Sequence, residues 1–332
     1  MTGFKSYFSA HVRSNFKPLI YIVISVLVLS FIMGMSYQPQ TFNDDYNSTL
    51  YIPVLFMCVL CYIVPVMEFS FFKKRRNLDC AYALPISRKA MGLTHYISGA
   101  ITVIGVFTLS YLQNLILLLA RGVEYFNFPP MIAHYFLCVV LGLALYSIMV
   151  FVFNEANTKG DGIWFMLLWT FAIANVMLAV CEIVDNDYAL EYGDCAIPWG
   201  VIGSMTTSYQ YIVQMGNLKF AYFWERPECF VWFFVWCAIG IAAAVGFFLS
   251  FGKRRMERTE EISDSFFGYR ILIPVYAVSG MLTFTENAPI LWVIIEILAL
   301  LGYTIYRRGF HYKTSDIIIL LSMILFLLFE LS

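Results

Sequence analysis

The chain has 332 residues, of which 61% are hydrophobic and only 13% are charged, with a formal net charge of −1. A soluble domain has about 25% charged residues, so this composition excludes a soluble globular protein and predicts an all-α polytopic membrane protein. Because charge in a membrane protein acts through its distribution along the chain, the net value by itself says little.

The first element is the segment 1–17, which predicts a helix lying in the headgroup layer with its rings at the acyl boundary. Its apolar and aromatic residues recur at helical spacing with basic residues between them: Phe4, Tyr7, Phe8, His11 and Val12, with Lys5 and Arg13. The alternative is a disordered positive leader that only orients the first span. We expect the interfacial helix.

Six strongly apolar stretches follow, each close to the roughly 20 residues that a helix needs to cross a bilayer. They predict a six-helix core over residues 18–260, with spans at 18–36, 51–72, 96–120, 131–153, 163–184 and 230–252. Three weaker stretches predict two or three further spans in a C-terminal extension, 261–332. They are 267–284, 289–306 and 316–331.

The basic residues predict the orientation, because Lys and Arg accumulate in cytoplasmic connections. With the N-terminus in the cytoplasm, the inner side holds all of the 21 Lys and Arg except Arg121, Lys219 and Arg226. The longest outer connection, 185–229, is too apolar for a free loop and too interrupted for a span, so it predicts a re-entrant segment. Whether Cys195 and Cys229 within it form a disulfide depends on the compartment and stays open.

The chain lacks the sequence motifs of an enzyme. It contains no glycine-rich phosphate-binding loop, no H-E-x-x-H and no G-x-S-x-G, each of which marks a known chemistry. We therefore expect no catalytic, cofactor-binding or metal-binding residues on this chain.

Ionisable residues at the bilayer centre mark ion-coupled transporters, and the middles of the six strong spans hold none. Glu68, near the inner end of the second span, is predicted to pair with the basic run 73–76. The polar residues that we expect to line a path or to join helices are Gln113, Asn114, Asn175 and Glu296.

The inner connection 73–92 is the most informative part of the chain. Its four consecutive basic residues can meet anionic headgroups, but the following "NLDCAYALPISRKAMGL" predicts more than a turn. It places Leu78, Tyr82 and Leu84 near one helical face, breaks at the proline of "LPIS", and restarts with Ser87 as a helix N-cap. A short helix with an apolar face, flanked by positive charge, is typical of a docking surface.

This arrangement, a basic exit from the second span, a short helix and then "LPIS-R", resembles the permease subunits of bacterial type-2 ABC exporters. In that family the loop after the second span forms a coupling helix, which inserts into a cleft of a separate ATPase subunit. The exit "GKRRMERTEE" from the sixth span is similar to a segment of permeases from Gram-positive bacteria. The resemblance covers residues 1–260, and only longer family members carry an extension like 261–332.

The resemblance implies a multi-pass permease of the bacterial cell membrane, surrounded by lipid, with no nucleic-acid partner. It would work with a second permease, identical or different, and with cytosolic ATPases that bind the ATP and Mg²⁺. The residues that it implies for contact with the ATPase are Leu78, Asp79, Tyr82, Leu84, Pro85, Ile86, Ser87 and Arg88. The alternative is a secondary transporter or channel that needs no ATPase, for which Glu296 is the sole candidate in a buried charge relay.

Overall fold

The computed structural model describes residues 2–36, 44–120, 128–184, 200, 202–203, 227–252, 260–261, 263, 265–283, 289–307, 309–310 and 312–330. Within these ranges the chain is all-helical, with ten α-helices, one 3-10 helix at Ser70–Lys73 and no strand. The α-helices are α1 Thr2–Ser36, α2 Asp44–Phe69, α3 Arg75–Tyr82, α4 Arg88–Ala120, α5 Phe128–Glu155, α6 Lys159–Val184, α7 Pro227–Phe251, α8 Tyr269–Thr283, α9 Pro289–Arg307 and α10 Thr314–Glu330.

The all-helical class is confirmed, and five of the described helices are long and apolar enough to cross a membrane, which is compatible with the predicted multi-pass protein. They are Lys5–Ser36, Leu50–Lys73, Arg88–Ala120, Met131–Glu155 and Val231–Phe251. The fifth predicted span lies in α6, whose side chains from residue 177 onward are outside the described residues. The C-terminal stretches form α8, α9 and α10, so the full number of spans stays a prediction. The predicted outer segment 185–229 lies almost entirely outside the described residues, as do the side chains of Cys195 and Cys229.

The N-terminal segment is helical as predicted, and it continues into the first span without a break. A single helix, α1, runs from Thr2 to Ser36 with Pro18 inside it, in place of the alternative disordered leader. That the segment lies in the headgroup layer stays a prediction. A proline inside a helix removes one backbone hydrogen bond. The contacts that Tyr7 and His11 make with other helices offset this loss. The Tyr7 hydroxyl lies 3.2 Å from His95 Nε2 of α4, where we predicted that the ring would face lipid.

The chain divides into two compact units. Unit 1 comprises Met1–Asn154 and Pro198–Thr259, and unit 2 comprises Glu155–Ile197 and Glu260–Ser332. Helix α6, which holds the predicted fifth span, therefore groups with the C-terminal helices rather than with the rest of the predicted core. The predicted boundary at residue 260 between core and extension stays a prediction.

Close helix approaches in unit 1 depend on glycine. A Cβ built on Gly240 of α7 would lie 2.6 Å from the Cα of Ala144 in α5. A Cβ on Gly99 of α4 would collide with the Tyr146 hydroxyl, which donates to the carbonyl oxygen of Tyr96 at 3.2 Å. Small residues at such crossings let helix backbones approach closely, which is a main source of helix association in lipid.

Unit 2 is held together by aromatic side chains that donate to backbone or carboxylate oxygens. The Tyr276 hydroxyl donates to the carbonyl of Leu168 at 2.6 Å, and Trp169 Nε1 donates to the carbonyl of Phe267 at 2.7 Å. These bonds attach α6 to α8 and to the segment before it. One cluster of buried residues in unit 2 comprises Ala277, Ala299, Tyr303, Tyr306 and Leu320.

Candidate functional site

The candidate site lies at one end of unit 1, where α1 and α4 begin and α2 ends. We call it the basic end, because it carries most of the unit's described cations: Lys5, Arg13, Lys17, Lys73, Lys74, Arg75, Arg76, Arg88 and Lys89. The segment between α2 and α4, which was predicted to dock on an ATPase, is part of this end.

The local structure of that segment is confirmed. Helix α3, Arg75–Tyr82, is the predicted short helix, and a turn follows in which Ile86 N donates to the Leu84 carbonyl at 2.7 Å. The Ser87 hydroxyl accepts a hydrogen bond from the backbone N–H of Ala90 at 3.3 Å. This is the bond that an N-cap serine makes to the third residue of its helix, so Ser87 begins α4 as predicted.

The predicted coupling residues differ in exposure. Leu84 is 42% exposed, whereas Leu78 is only 2% exposed and packs inside the protein. Ile86 is half-buried, and the side chain of Tyr82 lies outside the described residues. The remaining coupling residues are exposed: Asp79, Pro85, Ser87 and Arg88. Leu78 is thus placed to anchor α3 on its own unit, while the turn after α3 presents the accessible surface.

Lys73, the first residue of the basic run, is buried at 2% exposure. Its ammonium donates to the carbonyls of Phe153 at 2.7 Å and Asn154 at 3.2 Å, and lies 4.9 Å from the centre of the Phe153 ring. The last four carbonyls of a helix lack partners within that helix, and a cation there also meets the negative end of the helix dipole. Lys73 therefore caps the C-terminus of α5, a role that the sequence analysis missed.

The predicted pairing of Glu68 with the basic run is wrong. Glu68 Oε2 instead lies 2.7 Å from His11 Nε2 of α1 and 3.1 Å from His95 Nδ1 of α4. The side chains of Glu68 and His95 are only 7% and 5% exposed, and that of His11 is 10% exposed. We call these three residues the His–Glu–His cluster. It joins three helices at the basic end.

Further polar contacts hold the cluster in place. Ser98 donates to the second carboxylate oxygen of Glu68, Oε1, at 3.0 Å, and the Tyr7 hydroxyl contacts His95 Nε2. Asn15 Nδ2 lies 3.1 Å from His11 Nε2. The ring of Phe72 packs edge-on against His95 with centroids 4.9 Å apart. The two histidine rings lie 4.0 Å apart between centroids.

Two of the polar residues predicted within spans join α4 to α1. Asn114 Nδ2 donates to the Ser30 hydroxyl at 2.7 Å, and Gln113 Nε2 donates to the carbonyl of Leu27 at 3.0 Å. The structure thus places Gln113 and Asn114 in interhelical contacts. Whether either also lines a path stays a prediction.

The other two predicted polar residues belong to unit 2. Asn175 lines an apolar cavity of about 600 Å³ between α6, α8 and α9, which also contacts Asp161 and Tyr269. The Glu296 side chain is half-buried, and its Oε2 is buried without a hydrogen-bond partner among the described residues.

Comparison with known proteins identifies no relative of this chain: no protein-family model, no curated protein and no solved structure matches it.

Proposed function

We propose that this chain is the permease subunit of an ATP-driven exporter of the type-2 ABC class. It sits in the bacterial cell membrane with its N-terminus and its basic end in the cytoplasm. A second permease, identical or different, completes the translocation path, and separate cytosolic ATPase subunits bind and hydrolyse ATP. The chain itself carries no catalytic residue in this proposal.

The observation that carries the proposal is the exposed turn after α3. Leu84, Pro85 and Ser87 are exposed, while Leu78 beside them is buried. In this proposal the turn presents an apolar surface to the cytosol, and the buried Leu78 anchors α3 to the membrane domain. Such a segment can transmit force from an ATPase to the permease. A long inter-span loop without such an anchor would absorb the motion of a partner instead of passing it on.

The connections on either side of α3 support the same role. Helix α2 leads through the 3-10 helix Ser70–Lys73 directly into α3, and α4 starts at the Ser87 cap. The 3-10 helix is fixed to the end of α5 by Lys73. A displacement of α3 would therefore move the ends of α2, α4 and α5 together. Closure of the ATPases on ATP would in this way bias the paired permeases between two states.

The proposed cargo class is based on composition. The chain is 18% aromatic, which suits an apolar or amphipathic substrate such as a lipid, a drug or a hydrophobic peptide.

The test is to purify the tagged chain from its native membranes in mild detergent and to identify the proteins that accompany it. We expect an ATPase with a phosphate-binding loop, present with the wild-type chain and lost with Leu84→Glu. Phe310→Glu is the matched control, because Phe310 is 79% exposed in a connection of unit 2. A wild-type chain that purifies alone in several detergents, or equal recovery of the ATPase with both variants, would contradict the proposal.

The alternative is a secondary transporter that needs no ATPase, and one observation favours it. Such a transporter needs ionisable groups inside the membrane domain, and the His–Glu–His cluster provides three in contact. Transport driven by a proton gradient in vesicles that lack ATP, and abolished by Glu68→Gln, would support this alternative against the exporter.

A further inference from the structure

We propose that His11, Glu68 and His95 bind one divalent transition-metal ion, with zinc as the best match. The ligand atoms are His11 Nε2, Glu68 Oε2 and His95 Nδ1, and all three lie within 4.8 Å of one another. Two imidazoles and one carboxylate form a known ligand set for zinc, in which the fourth position is left to water. The proposal does not depend on whether the chain is an exporter.

The distances between the ligand atoms are slightly shorter than those of a zinc site. Zinc binds imidazole and carboxylate at about 2.0–2.2 Å, so neighbouring ligand atoms of a tetrahedral site are roughly 3.4 Å apart. Here the carboxylate oxygen lies 2.7 Å from the His11 nitrogen and 3.1 Å from the His95 nitrogen. Zinc binding would widen these two separations by about 0.7 and 0.3 Å, which is within the reach of side-chain rotation.

His11 meets two polar groups through Nε2. This atom lies 2.7 Å from the Glu68 carboxylate and 3.1 Å from the Asn15 amide. A cation between Nε2 and Oε2 would use a lone pair from each atom, and the Asn15 amide can then turn toward the adjacent cavity.

The charge of Glu68 also calls for a cation. The carboxylate is buried, and a buried charge is costly unless it is paired. Among the described residues its ion pairs are with His11 and His95 alone, and Lys73 is engaged by the carbonyls at the end of α5. A divalent ion would compensate the carboxylate while both histidines remain neutral, which is the form that binds metal.

The surroundings provide the second layer that metal ligands require. A ligating histidine usually donates its other nitrogen to a fixed acceptor, and a ligating carboxylate is itself hydrogen-bonded. The Tyr7 hydroxyl is the partner of the other histidine nitrogen, His95 Nε2. The Ser98 hydroxyl donates a hydrogen bond to the other carboxylate oxygen, Glu68 Oε1. The rings of Phe69 and Phe72 pack against His95 and keep that side of the site apolar.

A cavity beside the cluster leaves room for the remaining ligand. It measures about 230 Å³ and is lined by Glu68 and Ser98 together with Asn15, Pro18, Val64 and Met67. This volume is ample for one or more waters, each of which takes about 30 Å³ in the liquid. A bound ion would fasten the start of α1 to α2 and α4, and a water that enters from the Glu68 side would complete its coordination.

The test is titration of the full chain, purified in detergent and freed of metal with a chelator, with zinc alone. Calorimetry gives the stoichiometry, thermal unfolding gives the stabilisation, and the absorption spectrum of the cobalt-substituted chain reports the coordination geometry. We expect one ion per chain, a raised melting temperature and a tetrahedral cobalt spectrum. His134→Gln is the matched control, since it removes a buried histidine outside the cluster and should leave zinc binding unchanged.

The zinc affinities of two variants distinguish a specific site at the cluster from adventitious binding elsewhere. Ser98→Ala should weaken zinc binding by about 10–100-fold, as loss of an outer-shell partner does, and Glu68→Gln should weaken it further. Ser98→Ala keeps the test valid if Glu68→Gln fails to fold. Absence of zinc binding, or equal affinity in Ser98→Ala and wild type, would overturn the proposal. A chain that binds no zinc, but whose melting temperature depends on pH between 5 and 8 in the wild type and not in Glu68→Gln, would overturn it in favour of a proton switch.

Discussion

Replacing Lys73 by methionine tests whether the first residue of the basic run is structural. Methionine keeps the apolar stem and removes the ammonium, which leaves the carbonyls of Phe153 and Asn154 without their donor. The prediction separates Lys73 from its neighbour Lys74, which is exposed.

The expected cost follows from the contacts. A hydrogen bond that involves a charged group contributes about 1.5–3 kcal/mol net, and Lys73 makes two. Removing a buried ammonium also relieves its desolvation, which in proteins amounts to several kcal/mol. We therefore expect Lys73→Met to lower the free energy of unfolding by about 2–4 kcal/mol, below the simple sum of the two bonds.

The assay is thermal unfolding of the purified chain in one detergent, followed by size-exclusion chromatography at each temperature. Lys73→Met should lower the melting temperature clearly, whereas Lys74→Met, the matched control, should leave it unchanged. An unchanged melting temperature in Lys73→Met would refute the cap. An equal loss in both variants would also refute it, and would show that the positive charge of the run matters and its contacts do not.

Three further predictions concern packing and the polar residues of the spans. Gly240→Ala should destabilise unit 1, since its Cβ would meet the backbone of Ala144 at 2.6 Å, while Gly105→Ala, which meets nothing within 4 Å, should be tolerated in the same unfolding assay. Asn114→Leu should cost less than about 1 kcal/mol, because interhelical hydrogen bonds in membranes average about 0.6 kcal/mol, and a larger loss would contradict this. Glu296→Gln should change transport in vesicles modestly or not at all, and loss of a proton-driven activity would favour the secondary transporter.

The positions of the helices could be predicted from the sequence, because lipid imposes a simple local rule. Backbone groups in hydrocarbon must be bonded within the segment, so a long apolar run becomes a helix. The runs 96–120 and 131–153 fall inside α4 and α5, and the run 51–72 is covered by α2 and the 3-10 helix that follows it. The N-cap at Ser87 is equally local, since its partner is three residues away.

The partners of the helix faces could not be predicted in the same way. In a membrane both the lipid-facing and the protein-facing sides of a helix are apolar, so the amphipathic pattern that marks a buried face in soluble proteins is weak. Tyr7 and His11 were therefore assigned to lipid, although they pack on His95. Glu68 was assigned to the basic run beside it, because sequence reasoning favours neighbours in the chain.

The sequence by itself determined a helical, multi-pass membrane protein in which a short helix after the second span is followed by an N-capped helix. Only the tertiary structure decided that His11, Glu68 and His95 meet, across sequence separations of 57 and 27 residues. It also decided that Lys73 reaches the end of α5, 80 residues further along the chain. The physical reason is the same in both cases: a charge buried in a membrane domain must find its partner wherever the packed helices bring one, and that place is set by which helix faces meet.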